Sequence, residues 1–375
     1  MKPMPVPAIR PEVRRFEPYV PGRPIEEVKR RYGLTTVYKL ASNENALGCS
    51  PRVQAALGGA ADELFRYPEG SSRVLRERLA RLLRVSPEEV IVGSGSDELI
   101  ELIGKTYFNP TDEIVVSEHA FIRYRMAGEL MGCTVVSVPM RVYTHDLRAM
   151  AVAVGPRTKA VFIANPNNPT GTYNTHDQLA DFLTNLRTRR KYPLVVVDEA
   201  YYEYARVEPR YARSMVLRTQ YPNMVVLRTF SKAYGLAGLR VGYAVSRPEI
   251  IAALDRVRPP FNVSVFGQRL AAVACDDQEH IRTSVAQVVR ERRRVAAALR
   301  RMGFPCLPSA ANFLLFDASP RAGRDVFAAL MANGVIVRSM DEYGLPHHVR
   351  VTIGTPKEND AFLSVLQQVL RGVQS

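Results

Sequence analysis

Lys232 stands among small and hydroxylated residues in the stretch Leu227-Arg228-Thr229-Phe230-Ser231-Lys232-Ala233-Tyr234-Gly235-Leu236-Ala237-Gly238-Leu239-Arg240. An amine can condense with an aldehyde. The Thr229 and Ser231 hydroxyls can hydrogen-bond a phosphate, and the Arg240 guanidinium can clamp one bidentately. A ligand that carries both an aldehyde and a phosphate is pyridoxal phosphate (PLP). The competing account is a glycine-rich loop after a buried strand, with Lys232 merely solvated.

Other segments bear on that choice. Leu194-Val195-Val196-Val197-Asp198-Glu199-Ala200-Tyr201 puts a carboxylate at the end of an apolar strand. Asp198 could cap a helix there, or pair with a pyridine nitrogen and keep it protonated. Tyr201, one helical turn on, could hydrogen-bond the ring's phenolic oxygen. Asn165-Pro166-Asn167-Asn168-Pro169-Thr170-Gly171 has the composition of a tight turn, and its Asn168 amide is a donor for the same oxygen. Glu89 to Ile100 reads as strand, glycine turn and helix start, where free backbone N–H groups cradle phosphate. It is not the dinucleotide fingerprint, because Glu98 stands where the third glycine belongs. Phe121 follows the next strand and would either stack on a pyridine ring or pack in the core. Arg338 and Arg350 end strands late in the chain and could grip two anionic groups of a substrate. Arg350 lies among Val349, Val351 and Ile353, where a buried arginine without an anion is costly.

Elements that could position these groups are visible in the hydrophobic pattern. Val90–Val92, Ile114–Val116, Thr134–Val138, Ala160–Ile163, Leu194–Val197 and Met224–Leu227 are short β-branched runs alternating with helical stretches. Most are continuously apolar, as in strands covered on both faces, which predicts an α/β fold with a mostly parallel sheet flanked by helices. Ligands of such sheets bind beyond the carboxyl ends of the strands. After Pro259-Pro260 a long helical stretch leads to strands at 312–316, 335–337 and 348–353, a smaller α+β domain. The expected division is residues 46–260 as the large domain. Residues 1–45 with 261–375 form an N-terminal arm and the small C-terminal domain. Pro18, Pro21 and Pro24 bar a long helix in that arm, which is expected to lie across other elements.

The chain has 375 residues, 46% hydrophobic and 23% charged, which is ordinary globular composition. No apolar run approaches a membrane span, and residues 1–15 are basic and proline-rich without the apolar core of a secretory signal. A cytoplasmic location is expected, without membrane association. Cys49, Cys133, Cys275 and Cys306 lie far apart, and the six histidines lack metal-ligand spacing, so neither a disulfide framework nor a metal site is predicted. His347 and His348 read as loop residues. The net charge of +14 raises nucleic acid as a partner. However, Arg290, Arg292, Arg293 and Arg294 read as a solvated helix face without interleaved aromatics, and Arg187, Arg189, Arg190 and Lys191 close another helix. No nucleic-acid partner is expected; the positive field would draw in anionic substrates.

The order Asn-Pro-Thr-Gly, Asp-x-x-Tyr, Ser-Lys and distal Arg resembles the fold-type I PLP-dependent aminotransferases, class II, and within them the histidinol-phosphate aminotransferase family. The likeness is carried by Lys39 to Asn45, Tyr67-Pro68-Glu69-Gly70, Gly95 to Leu99, Asn165 to Gly171, Val197 to Tyr201, Arg228 to Ala233, Gly238 to Tyr243, Ala311-Asn312-Phe313 and Arg350 to Gly354. The resemblance implies a large PLP-binding domain and a smaller α+β domain. It implies that Lys232 holds the cofactor and shuttles a proton, that Asp198 pairs with the ring nitrogen, and that Tyr201 and Asn168 bind the phenolic oxygen. Phe121 would face the ring. Ser96 and Asp97 N–H groups, Thr229, Ser231 and Arg240 would hold the phosphate. Tyr67 would reach the phosphate of a neighbouring subunit, implying a homodimer with shared sites. Arg350 would take the substrate α-carboxylate, Arg338 with Tyr19 its side-chain phosphate, and Asn43 would contribute to substrate binding. The reaction implied moves an amino group between a small amino donor, L-histidinol phosphate, and 2-oxoglutarate. Rival readings on the same scaffold are a phenylalanine or tyrosine aminotransferase and a phosphothreonine-type decarboxylase; a transcription regulator would need an added DNA-binding module. Two departures stand out: Ala46 replaces the usual proline after Ser42-Asn43-Glu44-Asn45, and the segment Ser117 to Tyr124 lacks the common Pro-Thr-Tyr form, Phe121 keeping the aromatic face without the hydroxyl.

Overall fold

The computed structural model describes residues 7–16, 22–58 and 65–371. Its centre is a seven-stranded sheet in the order β2-β8-β7-β6-β5-β3-β4. The strands are β2 (Val90–Gly93), β3 (Glu113–Ser117), β4 (Thr134–Val138), β5 (Thr158–Ala164), β6 (Leu194–Asp198), β7 (Met224–Thr229) and β8 (Gly242–Val245). Six of them run the same way; β8 is antiparallel to both its neighbours. Successive side chains leave opposite faces of the sheet. Phe162, Val196 and Val225 pack with Leu99 and Ile103 of the helix Gly95–Tyr107. Val161, Val195, Val197 and Val226 pack with Leu179 and Phe182 of the helix His176–Thr188. Fully burying each such side chain is worth roughly 1.5–3 kcal/mol. The sheet interior therefore holds the frame, and the polar strand ends are left for chemistry.

A three-stranded antiparallel sheet, β11-β12-β9, is built from β9 (Phe313–Asp317), β11 (Arg338–Met340) and β12 (Leu345–Thr352). Arg338 and Arg350 are directly opposite each other in its register. The N-terminal segment joins these late elements: β1 (Tyr38–Lys39) pairs in parallel with β10 (Val335–Ile336). Leu40 N–H donates to the Ile336 carbonyl at 2.7 Å and the Leu40 carbonyl accepts from Thr352 N–H at 2.8 Å. A helix, Ile25–Tyr32, begins directly after Pro24.

The structure revises four readings. The strand β8 was not visible in the pattern. The long helical stretch is two helices, Val265–Asp276 and Gln278–Arg301, broken where the Asp277 side chain caps His280 N–H. Arg292 is not on the solvated face: it is buried and donates to Glu208 at 3.0 Å and to the Ala311 carbonyl at 2.8 Å. His347 and His348 lie on β12, not in a loop. All four cysteines are free. Among the described residues no helix is long and apolar enough to cross a membrane, and no cluster of side chains has metal-binding geometry.

Candidate active site

The carboxyl ends of β2, β3, β5, β6 and β7 open onto one cavity of about 150 Å³. Ser96, Asp97, Phe121, Tyr124, Asn168, Asp198, Tyr201, Thr229, Ser231, Lys232 and Arg240 all line it. The antiparallel direction of β8 matters here. It brings the amino end of that strand to the same edge, so Arg240, in the left-handed conformation at φ 53, sits beside the strand-end loops.

At one end are the groups suited to a phosphate. Ser96 and Asp97 lie in the first turn of the helix Gly95–Tyr107, where backbone N–H groups have no partner within the helix. Arg240 stands 3.5 Å from Asp97 Oδ2 and donates to Ser231 Oγ at 3.4 Å. With a third contact to the Ala237 carbonyl at 3.3 Å, all are long, so the guanidinium is aimed without being saturated. Thr229 Oγ1 accepts from Ser231 N–H at 3.1 Å, which fixes the turn that carries Lys232. The packing leaves no room for side chains behind this cradle. A Cβ at Gly242 would stand 2.6 Å from the Gly95 carbonyl carbon and from Ser96 N, and one at Gly95 (φ +77) would stand 2.7 Å from Arg240 Nη2.

At the other end are the groups suited to a ring and its substituents. Lys232 Nζ donates to the Ser42 carbonyl at 3.3 Å and lies 5.7 Å from the Tyr201 ring centre. Burial draws its pKa down to about 8; Arg350 and Arg240 push the same way, against Glu44 and Asp97. Asp198 is buried at the tip of β6, and burial raises its carboxyl to about 6. Two hydrogen bonds oppose that rise, from Tyr124 Oη to Oδ2 at 2.7 Å and from Ala200 N–H to Oδ1 at 3.1 Å. Tyr201 Oη accepts from Asn43 Nδ2 at 2.9 Å. Asn168 Oδ1 accepts from Arg350 Nη1 at 2.5 Å, leaving its amide N–H groups for another acceptor. Arg350 also donates to the Ala41 carbonyl at 2.8 Å, while its Nε is buried without a partner. Asp97 Oδ1 likewise accepts no hydrogen bond, though Arg123 Nε stands 3.6 Å from it. The donor set, the lone lysine and the unsatisfied Arg350 fit an anionic aromatic aldehyde.

Three predicted residues are placed elsewhere, and a fourth is not among the described residues. Asn43 does not line the cavity. It is buried at φ 56 and holds Tyr201, with Thr352 Oγ1 on its backbone N–H at 2.9 Å. Arg338 lies outside the cavity lining and is engaged by Glu342 at 2.8 and 2.9 Å. Tyr67 is 82% exposed, stacked on Phe261 at 4.7 Å and does not line the cavity. Tyr19 falls outside the described residues.

Sequence reasoning passed over two groups. Tyr124 is three residues past Phe121, so both rings share one face where the helix Ile122–Leu130 begins. Glu199, beside Asp198, forms a fully buried ion pair with Arg228 at 2.8 Å, and Tyr202 stacks on the guanidinium at 3.4 Å. An acidic pair at a strand end was the available signal. A larger cavity of about 730 Å³ is lined by His145, Gln178 and Arg189 and includes none of these groups.

Residues 35–366 match the sequence profile of the family described as aminotransferase class I and II. The chain belongs to that family. It is 46% identical over 366 residues to the histidinol-phosphate aminotransferase of Anaeromyxobacter sp. (strain Fw109-5), covering 97% of this chain and 100% of that one. It is 44% identical to the histidinol-phosphate aminotransferase of Moorella thermoacetica, covering 97% and 94%. Among solved structures it is similar to histidinol-phosphate aminotransferase from Sinorhizobium meliloti in complex with pyridoxal-5'-phosphate. The TM-score is 0.89 and the identity 28%, over 99% of each chain.

Proposed function

We propose that this chain transfers an amino group between L-histidinol phosphate and 2-oxoglutarate in histidine biosynthesis, with pyridoxal 5'-phosphate held at Lys232. The observation that carries the reading is the meeting, in one cavity, of a half-buried lysine with a lowered pKa, a buried acid and a phosphate cradle. The relatives named for that reaction, at 44–46% identity along nearly the whole chain, support the substrate.

When bound, the cofactor's ring and aldehyde supply an electron sink for the substrate carbon that bears nitrogen. The chain's residues do the rest. Ser96 and Asp97 N–H groups, Thr229, Ser231 and Arg240 would hold the phosphate, and Phe121 would face the ring. Asp198 keeps a proton on the ring nitrogen, and Tyr201 and Asn168 donate to the phenolic oxygen. Lys232, with an appreciable neutral fraction near pH 8, would hold the cofactor's aldehyde carbon and carry the proton of the substrate carbon. Arg350 takes the carboxylate of the oxo acid. Arg338, opposite it on the neighbouring strand, takes the phosphate of histidinol phosphate together with Tyr19. Asn43 acts through Tyr201.

The assembly proposed is a homodimer in the cytoplasm. An aromatic ring left 82% exposed supports Tyr67 as the group given to the partner's phosphate. The division into residues 46–260 and 1–45 with 261–375 is supported by the pairing of β1 with β10. Rapid-mixing spectra of the half-reactions test the substrate. L-histidinol phosphate should convert the cofactor at least about a hundredfold faster than L-phenylalanine at equal concentration; the reverse order would replace this reading with an aromatic aminotransferase.

A further inference from the structure

We infer that Tyr124 is a positioning residue that keeps Asp198 ionised and aimed, and so determines how tightly the site holds a protonated pyridine nitrogen. The inference rests on the cofactor reading above and adds a residue to it.

The geometry is closed on every side. Tyr124 is 1% exposed, its ring stacked on Phe162 at 4.9 Å with a 12° tilt and set edge-on to Phe121 at 5.7 Å. Its hydroxyl therefore has one position, and it donates to Asp198 Oδ2 at 2.7 Å. The direction of donation is fixed too. Burial, reinforced by Asp198, holds the phenol pKa well above its usual value, so Tyr124 stays a donor throughout the working range. A donor to one carboxylate oxygen favours the charged form of the acid.

That favour is needed. The charged groups facing Asp198 from neighbouring elements are Asp97 at the helix start and Glu199 on its own strand end, and both push its pKa up, as does burial. Tyr201, also close, carries no charge because burial raises its own pKa. Only Tyr124 and the Ala200 N–H push the other way. With the carboxyl near 6, an acid that is mostly ionised at pH 7 is one hydrogen bond from being half neutral. Removing a bond to a charged acceptor moves such a group by about one pH unit or more.

Two readouts on the full-length, cofactor-free protein test this. Carboxyl ¹³C NMR of Asp198, assigned with Asp198→Asn, should titrate about one pH unit higher in Tyr124→Phe. The affinity of Tyr124→Phe for pyridoxal phosphate should fall about tenfold at pH 5, where the ionised share of Asp198 drops about tenfold, and about twofold at pH 7. Its affinity for the 1-deaza analogue, which has carbon in place of the ring nitrogen, should stay within about twofold. A hydroxyl that merely props up the site would weaken both ligands alike, and that result overturns the inference. So does unchanged affinity for both. If the parent protein binds neither ligand, the cofactor reading itself has failed, which is a distinct outcome. Should Tyr124→Phe not fold, difluorotyrosine at position 124 keeps the ring and strengthens the donor. The Asp198 titration must then move down, and no movement refutes the role.

Discussion

Replacing Gly242 by alanine tests whether the phosphate cradle depends on the contact between β8 and the helix Gly95–Tyr107. Gly242 lies in strand β8 with Gly93 on one side and Thr229 on the other. Its φ lies outside the left-handed range that glycine favours, so alanine meets no conformational barrier, only space. The added carbon would stand 2.6 Å from the Gly95 carbonyl carbon and Ser96 N, with the Arg228 carbonyl oxygen at 3.2 Å. Comfortable carbon contacts are about 3.5–4.0 Å, so the helix start must retreat by about 1 Å. It cannot retreat freely, because Leu99, Ile100, Leu102 and Ile103 of that helix are fully buried. Overpacking of this kind costs about 1–3 kcal/mol of stability.

The same displacement moves the Ser96 and Asp97 N–H groups away from the phosphate. A hydrogen bond to a charged acceptor contributes about 1.5–3 kcal/mol, so losing one weakens cofactor binding about tenfold to a hundredfold. Fluorescence titration with pyridoxal phosphate and urea unfolding of the cofactor-free chain measure the two effects separately. The control is Gly238→Ala, four residues earlier, where a Cβ meets nothing within 4 Å; it should be neutral in both assays. If Gly242→Ala loses stability and keeps its affinity, the helix start is not the cradle. If it loses neither, the steric argument fails.

Three further substitutions or conditions have defined outcomes. Capture of pyridoxal phosphate by the cofactor-free chain needs the neutral Lys232 amine, so its rate should fall about tenfold per pH unit below pH 8 and level off above it. Between pH 8 and about 10 the unfolded chain holds the Lys232 proton and the folded chain does not, so this group's contribution to stability rises with pH across that window. A capture rate flat from pH 6 to 9 contradicts the lowered pKa. Glu199→Gln leaves Arg228 buried and unpaired and should cost about 3–5 kcal/mol in urea unfolding. Adding Arg228→Met should recover much of it, and an additive double variant would show that the pair is not coupled. Arg350→Lys loses one of two planar contacts, to Asn168 and to the Ala41 carbonyl. It should raise KM for 2-oxoglutarate about tenfold or more with a smaller change in kcat, and steady-state kinetics showing the opposite split would move Arg350 away from ground-state binding.

Most of this site was readable because its residues sit directly after strands that are apolar on both faces. Asp198 follows Val195-Val196-Val197 and Thr229 follows Val225-Val226-Leu227, so their place at the sheet edge follows from strand length alone. What escaped depends on distant partners. Arg292 carries the residue type of a solvated face, yet Glu208 and the Ala311 carbonyl give it a buried seat that no local pattern encodes. Tyr124 reads as one more core aromatic until Asp198 is brought to its hydroxyl across the sheet.

The strand β8 shows most clearly why the rest was hidden. Gly242-Tyr243-Ala244-Val245 is four residues long with two small side chains, too short and too weakly patterned to announce itself. Its direction is set by the slot between β2 and β7 that the other strands leave open. Yet that direction brings Arg240 to the carboxyl edge: a parallel strand here would carry the arginine to the far side of the sheet, away from Ser231 and Asp97. The arginine that faces Ser231 and Asp97 is therefore delivered by the element least visible in the chain, and the missing side chain at Gly242, which helps to hide that strand, is what the close approach to Gly95 requires.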